Sequence, residues 1–209
     1  MTELLYFSSD LLTADATVQT CRAAKVGYEV TVDRTVFHPQ GGGQPSDVGQ
    51  IGSARVTKVF RKEAAVVHCV DAPLAIGGVT LQVDPQARQL HSRLHTAGHL
   101  IGHVLVSLGF VATKAHHWPG EATVWVSPKS EAVPSVTVQS LQALLDALVA
   151  EDLPRVTRLD GHHREVGFGA LPAFPCGGTH LASTSEVGRC IVEKIRAGDH
   201  GLSIHYTVV

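Results

Sequence analysis

The stretch Asp84-PQARQLHSRLHTAGHLIGHVLVSL-Gly109 separates two kinds of sequence in this 209-residue chain. Asp84 suits a helix N-cap and Pro85 the first helical turn. Leu90, Leu94, Ala97, Ile101, Val104 and Leu108 recur at steps of three and four, the apolar stripe of a helix. Gly109 suits its end. The same helix carries His91, His95, His99 and His103 at four-residue steps. Side chains four apart lie over one another, so any adjacent pair can chelate one ion, and spacing leaves three pairs open.

Upstream, the chain reads as strands and turns. Tyr28, Val30 and Val32 alternate with polar neighbours. A glycine-dense loop follows, Phe37-His-Pro-Gln-Gly-Gly-Gly-Gln-Pro-Ser-Asp-Val-Gly49, then short runs over 54–60, 64–70 and 79–83. Downstream, 122–126 reads as a strand. A second helix is expected over 138–151, with Leu141, Leu144, Leu145 and Leu148 on one face and Pro154 beyond its end. The tail, 190–196 and 202–208, reads as a hairpin around Ala-Gly-Asp-His-Gly. The expected fold class is α+β. Residues 1–84 form a small β-barrel-like domain with the glycine-rich loop, and residues 85–209 an α+β metal-binding core.

Composition narrows the function classes. Apolar content of 44% and charge of 17% are ordinary for a soluble domain. No run of about 18 apolar residues occurs, and the start lacks a basic, apolar leader, so no membrane is expected. Cys21, Cys69, Cys176 and Cys190 show no framework spacing, which favours a reducing cytoplasmic setting. A net charge of −2 argues against bulk electrostatic holding of long nucleic acid, so DNA is not an expected partner. A partner contacted at one end remains allowed.

A second motif completes a ligand set. In Pro175-Cys-Gly-Gly-Thr-His180, two glycines permit a tight turn that brings a thiolate and an imidazole together. A thiolate with imidazoles suits zinc better than magnesium or calcium. No Glu follows the first histidine of His95-Thr-Ala-Gly-His99, which argues against a zincin protease. Each pair alone is a weak signal, and four protein ligands ordinarily make a closed structural site.

At these residues the chain resembles the alanyl-tRNA synthetase editing domain family, whose freestanding members are the AlaX-type trans-editing proteins. The matching text is His95-Thr-Ala-Gly-His99, Pro175-Cys-Gly-Gly-Thr-His180, the upstream stretch from Asp33 through the glycine loop to Gly49, and Thr184-Ser-Glu-Val-Gly188. The resemblance runs through most of the chain. It selects His95 and His99 as ligands with Cys176 and His180, and leaves His91 and His103 as flanking residues. It implies a zinc-dependent deacylase acting on misacylated tRNA(Ala), chiefly the serine ester with glycine second. No class II aminoacylation module precedes the motifs, so a freestanding editor is expected, with a monomer favoured. His38 stands where the family more often shows Tyr, and Gly98 is a small residue inside the helix, costing roughly 1 kcal/mol against Ala.

The implied substrate is an ester to a terminal ribose hydroxyl. Zinc would activate water, polarise the carbonyl, or only orient the substrate. The first two roles need an open position, so one of the four, His180 first, is expected to be distant, labile or outside the inner coordination sphere. Thr35 and Gln44, flanking the glycine loop, are the candidate catalytic residues, meeting the serine hydroxyl. Gly41, Gly42 and Gly43 are candidates to let backbone amides approach the ribose-phosphate end. Two basic clusters, Arg55, Lys58, Arg61 and Lys62, then Arg155, Arg158, His162, His163 and Arg164, read first as solvated faces and second as phosphate contacts. His116, His117 and Trp118 could stack on a terminal adenine or pack beside the barrel. The rival function is a zinc-stabilised RNA-binding module without hydrolysis.

Overall fold

The computed structural model describes residues 1–130, 135–161, 163–198 and 201–209. His162 of the second basic cluster, and Asp199 and His200 of the hairpin tip, lie outside the described residues. The chain forms two compact units. One comprises Met1–Gly41 with Pro45–Gln89, the other Gly42–Gln44 with Leu90–Val209. Among the described residues, the class is α+β, mostly sheet with two helices.

The first unit holds β1 (Glu3–Leu4), β2 (Thr13–Ala23), β3 (Tyr28–Val32), β4 (Arg34–Thr35), β5 (Gly49–Ile51), β6 (Ala54–Lys62), β7 (Ala65–Val70) and β8 (Gly77–Val83). Six of these pair in a ring, β2-β3-β7-β6-β5-β8, which closes as β8 returns antiparallel to β2. Closure leaves none of the six with an open edge. Small and branched side chains fill the interior: Ala16, Val18, Val30, Val32, Val56, Val59, Val66, Val70, Leu81 and Val83. Their alternation along β2 and β8 is the period-two pattern of strands buried on one face. β1 runs parallel to β4.

The helix α1 (Pro85–Ser107) starts where Asp84 caps it, its Oδ1 accepting from the N–H of Gln86 and Ala87, both at 2.9 Å. Gly109, at φ 90°, follows its last turn. Nearly every face of this helix in the second unit is covered, since Leu94, Ala97, Leu100, Ile101, Val104 and Leu105 are all buried. His91, His95 and His103 are buried too, so the histidine row is not a solvated stripe.

The second unit continues with β9 (Phe110–His116), β10 (Thr123–Pro128), α2 (Val138–Ala150), β11 (Arg155–Asp160), β12 (His163–Phe168), β13 (Phe174–Pro175), β14 (Cys190–Gly198) and β15 (Gly201–Val208). Two sheets result, in the orders β14-β15-β10-β9 and β11-β12-β13. A capping box starts α2: Thr137 Oγ1 accepts from the Ser140 N–H and Ser140 Oγ from the Thr137 N–H, each at 3.1 Å. Leu141 and Leu145 pack fully inward. Leu144 does not, being 44% exposed at the edge of the stripe. Among the described residues no helix is long and apolar enough to cross a membrane.

Candidate metal centre

The helix pair and the glycine turn converge. One donor atom from each of His95, His99, Cys176 and His180 lies within 4.8 Å of the others. Cys176 Sγ is 3.4 Å from His95 Nε2 and 3.2 Å from His180 Nε2. A tetrahedral ion with metal–sulfur bonds of about 2.3 Å and metal–nitrogen bonds of about 2.0–2.1 Å sets such S···N gaps near 3.5 Å. The buried Nδ1 of His99 has no hydrogen-bond partner, as a ligand nitrogen or its ring-mate awaiting one would. The group fits a divalent metal. His180 is not distant from the other three: it follows Cys176 within one turn, and that turn brings both donor atoms into the same group.

The surroundings orient the donors. Gln44 Oε1 lies 2.7 Å from His95 Nδ1 and accepts the Thr179 N–H at 3.0 Å, while Gln44 Nε2 donates to Thr179 Oγ1 at 2.9 Å. A carbonyl oxygen can only accept, so His95 carries its proton on Nδ1 and presents the Nε2 lone pair to the sulfur side. Thr96 Oγ1 sits 3.3 Å from His180 Nδ1 and accepts from the Leu181 N–H at 3.2 Å. A Cβ on Gly178 would lie 2.0 Å from His95 Cε1, so the turn passes His95 only because residue 178 has no side chain.

Two arginines of the second basic cluster hold the same turn. Arg164, 6% exposed, donates from Nη1 to the carbonyls of Cys176 at 3.1 Å and Gly178 at 2.7 Å. Arg155 Nη1 donates to the His180 carbonyl at 2.7 Å. Arg164, buried on these carbonyls, is not the solvated charge expected from sequence.

Burial sets the protonation states. It pushes His99 down to about 3, helped by the charges of His117, His103 and Arg164, and holds His180 well below the usual imidazole range. Both are therefore neutral and offer lone pairs. Burial raises the Cys176 thiol, opposed by the Gly178 N–H and the Arg164 charge. A bound cation favours the thiolate further.

His95, His99 and Cys176 line a cavity of about 660 Å³ with Gly42, Gly43 and His117. Phe110, Val124 and Phe174 supply apolar wall. The volume falls in the roughly 300–1,000 Å³ range of small-molecule sites. Of the glycine loop, Gly42, Gly43 and Gln44 belong to this unit, whereas Gly41 belongs to the first. Gln44 is wholly buried, all its polar atoms engaged beside His95.

Thr35 belongs to the first unit and is also wholly buried. Its Oγ1 lies 2.9 Å from His68 Nε2 and accepts the Phe37 N–H at 3.1 Å. The aromatic trio divides. His116 and Trp118 lie parallel at 5.5 Å, whereas His117 turns inward and stacks on His95 at 4.2 Å. His117, His68 and Arg164 escaped sequence reading as structural partners, because nothing local marks a side chain whose partner is distant in sequence.

A His/Cys group able to hold a metal ion, opening on a cavity, defines the class of site. Comparison with known proteins supplies its nearest chemistry. No family model matches the chain. The alanyl-tRNA editing protein AlaX-L of Pyrococcus horikoshii is 28% identical over 225 residues, covering 94% of this chain and 54% of that protein. AlaX-M of the same organism is 27% identical over 190 residues, covering 82% of each. An alanine–tRNA ligase of Halorubrum lacusprofundi is 29% identical over 204 residues, covering 84% of this chain and 22% of the ligase. The homologues of this chain thus include the AlaX editing proteins. The chain spans about half the length of AlaX-L and about a fifth of the ligase.

Proposed function

We infer that this protein is a hydrolase that deacylates misacylated tRNA(Ala), chiefly the serine ester and secondarily the glycine ester, with zinc held by His95, His99, Cys176 and His180. The observation that carries the reading is the convergence of these four donors beside an accessible cavity, in a chain whose homologues are named for alanyl-tRNA editing. A thiolate with three imidazoles suits zinc among the common divalent ions. Zinc supplies Lewis acidity toward an ester carbonyl or water.

The chain's own residues do the rest. Gln44 and Thr96 hold the imidazoles of His95 and His180 in register. Arg155 and Arg164 fix the carbonyls of the turn that carries Cys176 and His180. Gly42 and Gly43 present backbone to the cavity without side chains in the way. A site that hydrogen-bonds the serine hydroxyl leaves polar groups unpaired when alanine binds, and so rejects alanine.

The test is release of amino acid from Ser-, Gly- and Ala-charged tRNA(Ala) with and without chelator. Serine release abolished by chelation and restored by zinc supports the reading. Tight tRNA binding with no release from any ester supports the rival, an RNA-binding module stabilised by zinc.

A further inference from the structure

Gly98 precedes His99 in the middle of α1, where a side chain would meet other atoms. A Cβ there would lie 2.4 Å from Cε1 and 2.6 Å from Nδ1 of His117, and 2.7 Å from the Tyr206 hydroxyl. The missing side chain leaves room for an imidazole. His117 follows β9, its N–H donating to the Gly43 carbonyl at 2.8 Å. Its ring is 2% exposed and stacks on His95 at an interplanar angle of 24°.

The hydrogen bonds of this ring are directional. The Tyr206 hydroxyl donates to the Leu94 carbonyl at 2.9 Å, and that oxygen can only accept. The phenol oxygen, 2.7 Å from His117 Nδ1, therefore accepts from the Nδ1–H. The neutral ring is left with its lone pair on Nε2. That atom has no hydrogen-bond partner among the described residues. His117 lines the same cavity as His95, His99 and Cys176, and among the described residues no Asp or Glu lines it. The lysines there, Lys114 and Lys129, only donate.

We propose that His117 Nε2 receives an N–H of the α-amino group of the bound aminoacyl ester, with Gly98 and Tyr206 as positioning residues. This rests on the editing reading above. A fixed acceptor, in a cavity with no carboxylate among its described lining residues, suits the donor that every aminoacyl ester carries. The serine hydroxyl is not needed for it. Gly98 is explained in the same step, since the helix gives up a side chain so that the imidazole can lie against it.

The experiment compares Ser-tRNA(Ala), Gly-tRNA(Ala) and 3-hydroxypropionyl-tRNA(Ala), the serine ester without its amine. His117→Phe keeps a flat ring on His95 but loses the lone pair. It is expected to lower kcat/KM on the serine and glycine esters alike by about 10–100-fold. It should leave the amine-free ester and the zinc stoichiometry at wild-type values. Gly98→Ala, which displaces the ring, should reproduce the loss. Wild-type rates in His117→Phe, a loss confined to the serine ester, or an equal loss on the amine-free ester would each overturn the proposal. A wild-type protein inactive on both aminoacyl esters would overturn the editing function itself, which is a separate outcome.

Discussion

Gln44 Oε1 and His95 Nδ1 stand 2.7 Å apart, joining a glycine-loop residue to an imidazole 51 positions later in the chain. The bond decides which nitrogen of His95 faces Cys176. Partners of this kind are typically worth about 10–100-fold in metal affinity. Gln44→Ala is expected to weaken zinc binding by that order, read by competition with a chromophoric chelator. An unchanged affinity would show that His95 is oriented by other contacts.

Arg88 and Asp47 form a buried ion pair in the first unit, with side-chain exposures of 9% and 0%. Arg88 Nη2 also donates to the Val36 carbonyl at 2.6 Å, and Asp47 Oδ2 accepts the His38 N–H at 2.6 Å. The pair thus pins the first turn of α1 to both ends of the glycine-rich stretch. Removing one member leaves a buried charge without its partner, at a cost of about 3–5 kcal/mol. Arg88→Ala should lose that much in urea unfolding, and a loss under 1 kcal/mol would mean that water replaces the guanidinium.

His68 and Thr35 form a closed polar pair inside the ring of strands. His68 Nδ1 lies 3.3 Å from the Val30 carbonyl and its Nε2 2.9 Å from Thr35 Oγ1. Because Nδ1–H donates to the carbonyl, the threonine hydroxyl donates to Nε2. Thr35→Val leaves that nitrogen and the Phe37 N–H unsatisfied, which costs about 1–3 kcal/mol. A fall in Tm of several degrees is expected, and no change in Tm would mean that the pair is dispensable to the fold.

Burial lowers His68 to about 4, against a hydrogen bond to Val30 that raises it. A folded value below the unfolded one near 6.5 means that the unfolded chain binds the proton first. The contribution is complete above about pH 6.5 and is lost as pH falls toward 4, about 3 kcal/mol in all. His103, lowered to about 4 by burial, acts with the same sign. Stability should therefore drop on acidification through this window, and His68→Leu should flatten the slope by up to one proton. A slope unaltered by that substitution would place the titrating groups elsewhere.

Much of this was legible from local signals. Asp84 and Pro85 announced the start of α1, and alternating valines announced the strands that close the ring. The two metal motifs were readable because each pair sits within one turn of helix or loop. What escaped was set by distant partners. Arg164 reads as a surface charge until its guanidinium meets the Cys176 and Gly178 carbonyls. Thr35 and Gln44 read as substrate contacts because they flank the glycines, yet their polar atoms engage His68 and His95. β9 and β11 escaped because they are largely exposed, with weak alternation.

The claim on which the rest depends is that one ion sits among His95, His99, Cys176 and His180. Anomalous diffraction at the zinc edge, on crystals of the protein purified without added chelator, addresses it directly. The account predicts one strong peak within bonding distance of all four donors, absent from the Cys176→Ala protein. A peak at another place, or one that survives that substitution at full strength, would contradict it.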